Sequence, residues 1–247
     1  MEKMQRKNLI ISLVMNLVTA VFVLVGVIIS YGKHGIGCLQ FYTVDSNLIL
    51  AISCIAMAIN EVVCLSRKNV KIAQAITTFK YISVCLVAVT FLVVAFLLAP
   101  GTGSFAGYVK TMFYDSKLFH HFLCPILGFV SFIFFETDND VSLSDAFFAL
   151  IPTIVYAIVA VVLNVVYVIY GPYPFLQVNE QPVYISAIWG VAIIGSAYLF
   201  AWAIYKFRNL YKKKMLIKSR QEKQQKNKEK SEKIVKKEKK NENIDKG

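Results

Sequence analysis

Polar groups able to do chemistry are sparse in the apolar stretches of this chain, and several of them gather at the ends of those stretches. The segment Phe41-Tyr-Thr-Val-Asp-Ser-Asn-Leu48 puts Thr43, Asp45, Ser46 and Asn47 within two turns of a helix start. Thr43 and Asn47 are four residues apart and share a helix face. Asp45 lies on a different face and suits a helix cap. His120 and His121 open another apolar stretch, with Pro125 following. Proline has no N–H, so in an α-helical register the carbonyl of His121 loses its partner. In lipid that carbonyl needs a donor from a neighbouring helix or water. A third segment, Tyr170-Gly-Pro-Tyr-Pro-Phe175, adds rings and phenols. Brought to one level, these segments make a candidate active site, with Ser46, Asn47, Tyr173 and Phe175 as substrate-binding groups. Each residue also has an ordinary use: threonine as a cap, histidine at an interface, the Tyr/Pro loop in an aromatic belt.

The elements that must position these groups are membrane-spanning helices. Hydrophobic residues make up 57% of the chain, above the ~45–50% of soluble domains. They form six runs, near 9–31, 44–65, 78–99, 118–135, 146–170 and 183–205. A run of ~20 apolar residues spans a bilayer. The expected fold is therefore all-α: a polytopic bundle of six transmembrane helices over residues 1–206, with a basic tail over 207–247. Lys3, Arg6 and Lys7 precede the first run, but its length and the lack of a small-residue cleavage site argue for a retained helix.

Lys/Arg asymmetry sets the expected orientation. Lys3, Arg6, Lys7, Arg67, Lys68, Lys71 and the tail fall on one side; Lys33, Lys110 and Lys117 fall on the other. This predicts a multi-pass protein of the cell membrane with both termini cytosolic. Thr43, the two histidines and the loop after the fifth run then share the outer level. The loop with Glu136, Asp138, Asp140 and Asp145 falls inside although acidic, which the rule tolerates.

The tail carries 16 Lys/Arg against 6 Asp/Glu, nearly all of the chain's +12 net charge. It reads as disordered or partly helical, with i,i+4 pairs Glu229/Lys233 and Glu232/Lys236. Its expected contacts are anionic lipid or RNA, the latter without aromatic stacking platforms. Five cysteines show neither CxxC spacing nor a Cys/His cluster, so no metal site and no cofactor is expected. Gly101-Thr-Gly-Ser104 reads as a turn. Glu61 and Asn60 are expected to snorkel at a helix end, and Asn16 and Asn164 to bond between helices. No span carries a central Arg, Lys or Asp, which argues against an ion-coupled transporter.

The stretches Phe41–Leu48, His121-Phe-Leu-Cys-Pro125 and Tyr173-Pro-Phe-Leu176 stand in the order and topological places found in a bacterial six-helix group. That group is distantly related to the androgen-induced and androgen-dependent tissue-factor-pathway-inhibitor-regulating proteins. The chain resembles it over residues 10–206. The eukaryotic members are membrane-embedded hydrolases of fatty acid esters of hydroxy fatty acids. The resemblance implies Thr43 as nucleophile and His121 as base, acting on a hydrophobic acyl substrate drawn from membrane lipids. No third residue orienting the histidine is evident. The alternatives are a non-catalytic transporter or lipid-binding membrane protein, and an insertase-like factor whose tail binds ribosomes.

Overall fold

The computed structural model describes residues 3–67 and 71–244, with side chains over 6–67 and 71–225; Lys68 lies outside them. Regular structure is helical throughout the described residues. The main elements are α1 (Lys3–His34), α2 (Tyr42–Ser66), α3 (Gln74–Val93), α4 (Phe105–Phe113), α5 (Cys124–Phe134), α6 (Leu143–Phe148), α7 (Ile151–Val165) and α8 (Val183–Ile244). Among the described residues five helical stretches are long and apolar enough to cross a membrane, and the count reaches six if α4 and the helix Leu118–Phe134, bent by 84°, form one span. Large apolar side chains such as Ile28, Ile59, Phe96, Ile158 and Val191 point outward from all five of these stretches. An apolar outer surface is what a bilayer solvates and water does not.

Residues 3–208 and 209–244 fall into separate compact units. In the first, α1, α2, α3 and α5 pack around Val23, Leu50, Tyr81, Val84, Cys124 and Phe132. In the second the chain is helical to Ile244, where the sequence left disordered and partly helical both open.

Prolines shape two spans. Val94–Leu98, before Pro100, and Leu118–Leu123, before Pro125, are π-helical turns. In the second, the Cys124 N–H reaches the Phe119 carbonyl, five residues back. The wider register moves the effect of Pro125 by one residue. Its missing N–H deprives the carbonyl of His120, where an α register would deprive that of His121. Asn47 Nδ2 on α2 donates to this His120 carbonyl at 3.2 Å. The expected neighbouring-helix donor therefore exists, on the residue next to the one anticipated. Gly26 on α1 makes room for the same segment: a Cβ there would meet the His120 ring at 2.7 Å.

A candidate lipid cavity at the start of α2

The N-terminus of α2 lacks a side-chain cap, because its N-cap residue is Phe41. The first N–H groups of a helix need outside acceptors. Asp45, anticipated as a cap, lies inside the first turn and caps nothing. The Tyr173 hydroxyl serves instead. It accepts from the Thr43 N–H at 3.3 Å and lies 3.3 Å from Thr43 Oγ1.

Asn164 in α7 holds the loop that delivers Tyr173. Its Oδ1 accepts from Val178 N at 2.9 Å, its Nδ2 donates to the Ile169 carbonyl at 3.1 Å, and its own carbonyl accepts from Asn179 Nδ2 at 2.7 Å. Asn164 thus fastens a loop rather than two helices. Gly171 lets the loop fold onto itself, since a Cβ there would collide with the Leu176 carbonyl. Tyr173 and Phe175 stack with centroids 5.2 Å apart, and Phe175 meets Trp189 at 6.0 Å.

These groups border a cavity of about 330 Å³ walled by α2, α3, α7, the loop and α8. Its walls are Val, Leu, Ile and aromatic side chains, and no charged residue lines it. Apart from the Trp189 indole, the polar side chains it meets are hydroxyls. Thr43 and Tyr173 form one pair, and Tyr42 and Thr153 form another at 2.8 Å. Thr90 also lines it, bonded at 2.9 Å to Ser46. Ser186 Oγ, from the α8 wall, is buried without a protein partner. A second hollow of about 390 Å³, between α3, α5 and α8, has only apolar lining residues and so no group to orient a ligand.

Of the residues singled out from sequence, Thr43, Tyr173 and Phe175 meet at this cavity. Ser46 and Asn47 stand behind it. Ser46 donates to the Thr43 carbonyl at 3.1 Å, and Asn47 bridges the Thr43 and His120 carbonyls. His121 is not among the lining residues. Its Nδ1 lies 2.8 Å from the Thr111 carbonyl, tying the bent helix to α4. Among the described residues no hydrogen bond joins Thr43 to His121. The side-chain partner of Thr43 Oγ1 is a phenol whose pKa burial pushes up, so it stays protonated and cannot act as a base. His120 packs on Gly26, with Nε2 3.4 Å from Ser30 Oγ.

Sequence reasoning missed Tyr42, Thr90, Thr153, Tyr156, Ser186 and Trp189 as lining groups. Thr90 and Thr153 were visible as lone hydroxyls in apolar runs, but nothing in the sequence pairs them across helices. It also missed a buried ionic cluster. Lys80, in the second turn of α3, is fully buried, as is Glu61, which was expected to snorkel. Comparison with family models, curated proteins and solved structures gives no match for this chain.

Proposed function

We propose that the chain is an integral membrane protein of six spans, α4 and the helix to Phe134 forming the fourth, with both termini cytosolic. On this reading its cavity binds an amphipathic lipid. One observation carries the proposal: an apolar cavity that ends in paired hydroxyls and contains no charge. Such a site suits an acyl chain with an uncharged carbonyl or hydroxyl at its polar end. An ionic headgroup buried there would lack a counter-charge. Ser186 Oγ, without a protein partner, offers a further contact for the ligand.

Binding is favoured over turnover because Thr43 meets a neutral phenol and His121 faces a backbone carbonyl. A hydroxyl nucleophile needs a base within hydrogen-bond reach. The experiment uses the purified full chain and a fatty-acyl ester bearing a photoreactive group on its chain. Crosslinks should concentrate on Val93, Tyr156 and Trp189, and Ala157→Trp, which fills the cavity, should abolish them. Crosslinks spread over the outer helix faces and indifferent to Ala157→Trp would reject the site. Ester hydrolysis in the same samples, lost in Thr43→Ala and in His121→Ala, would instead establish the hydrolase implied by the family resemblance.

A further inference from the structure

Glu61 lies 18 residues beyond Thr43 on α2, roughly 27 Å along the helix at 1.5 Å per residue. It is almost fully buried, and so is Glu136, just after α5. Both carboxyl groups converge on one amide nitrogen. Asn16 Nδ2 on α1 is 3.4 Å from Glu61 Oε2, 3.1 Å from Glu136 Oε1 and 3.2 Å from Ser12 Oγ. An amide nitrogen carries two hydrogens and here faces three acceptors, of which Ser12 also hydrogen-bonds Glu61 through its hydroxyl. Ser131 Oγ donates to Glu136 Oε1 at 2.6 Å, while Glu136 Oε2 is buried with no partner.

Cations do not make up this shortage of donors. Lys80 Nζ donates to Asn16 Oδ1 at 2.6 Å and meets Cys54 Sγ at 2.7 Å; its ion pair with Glu136 is 3.9 Å long. Among the described residues no ion pair joins a cation to Glu61. Arg208 comes from α8, over the Phe132 ring, and donates to the backbone carbonyls of Glu136 and Asn139. Asp138 and Asp140 also act on Arg208. Cys54 and Cys64 complete the titratable groups around Glu61. The two buried carboxyls converge on one amide nitrogen, with one ammonium 3.9 Å from Glu136, and would repel each other if both were charged.

Beside them lies a cavity large enough for about one water molecule, lined by Glu61, Glu136, Thr77 and Asp138. Asp138, one of its lining residues, is exposed to solvent. We propose that Glu61 and Glu136 form a proton-binding site that holds one proton between them at neutral pH and exchanges it with solvent past Asp138. Adding the proton gives the cluster one more donor and leaves a single carboxylate opposite Lys80. This site is independent of the lipid cavity and stands if that reading fails.

Infrared spectroscopy of the full chain in lipid nanodiscs tests it. The wild-type protein should show, at neutral pH, a protonated-carboxyl carbonyl band that shifts in D2O. The band should vanish in Glu61→Gln and in Glu136→Gln, persist in Asp45→Asn, and grow about two-fold in Lys80→Met, where the second carboxyl must also take a proton. The wild-type spectrum alone can overturn the proposal, whatever the variants' folding: no such band at neutral pH, or one that fails to shift in D2O. A band that survives both glutamine substitutions, or that disappears only in Asp45→Asn, overturns it equally.

Discussion

At one end of α2, Thr43 faces a cavity lined by no charged residue, where the polar side chains are hydroxyls and one indole. Toward the other end, Glu61 enters a knot of two carboxyls, an ammonium, an amide and a thiol drawn from α1, α2, α3 and the segment after α5. Both regions bury polar atoms inside an apolar body, yet they do so at different stakes. A hydroxyl pair contributes about 1 kcal/mol and can exchange one partner for another. A buried charge that loses its partner costs several times more. The neutral end can therefore admit a ligand's carbonyl in place of an internal bond, while the charged end fixes which helices meet and in what register.

The strongest test of this contrast is Lys80→Met. It leaves two buried carboxyls without their ammonium and should destabilise the purified protein by about 3–5 kcal/mol, read as a shift in a denaturant titration in mixed micelles. Adding Glu136→Gln to Lys80→Met should recover part of the loss, because only one buried carboxyl, that of Glu61, then has to be neutralised. A loss below ~1 kcal/mol for Lys80→Met would mean that the cluster is not an ionic latch, and the contrast would collapse.

Asn47→Ala probes the boundary between the two kinds of region. Asn47 is neutral, yet it serves a carbonyl that Pro125 has stripped of its helical donor. The loss should be about 1–2 kcal/mol, more than a replaceable hydroxyl bond and less than the lysine. Asn47→Asp should not rescue it, since a carboxylate cannot donate. If Asn47→Ala is silent, water or a shifted turn supplies the His120 carbonyl.

The same two regions show what a sequence makes legible. The apolar runs announced the five long apolar helices and the bent segment, since run length is a local property, and the start of each fell within about six residues of its run. Thr43, Tyr173 and Phe175 could be grouped because topology alone brings their segments to one level. The role of Tyr173 as a cap could not be seen: it depends on the loop geometry that Asn164 and Gly171 impose. The π turn before Pro125 changes which carbonyl is freed, and no residue spacing encodes that register. Lys80 was the larger oversight. It stands two residues into an apolar run and drew no reading from the sequence; only packing shows Asn16, Cys54 and Glu136 closing over it.

The smallest expected effect separates capping from recognition at the neutral end. Tyr173→Phe keeps the ring that stacks on Phe175 and removes only the hydroxyl facing Thr43. Loss of that acceptor leaves the Thr43 N–H poorly served and should cost about 1 kcal/mol of stability. If the hydroxyl pair also orients a ligand, affinity for a fatty-acyl ester should fall about 5–10-fold, the equivalent of ~1–1.4 kcal/mol. Affinity for a plain long-chain alkane should stay unchanged, because an alkane makes no hydrogen bond and the apolar walls are intact. A merely structural Tyr173 would weaken both ligands together, through a loosened loop. Equal losses for ester and alkane would therefore leave the hydroxyl as a helix cap and move the polar end of the site elsewhere, with Ser186 on the opposite wall the next residue to change.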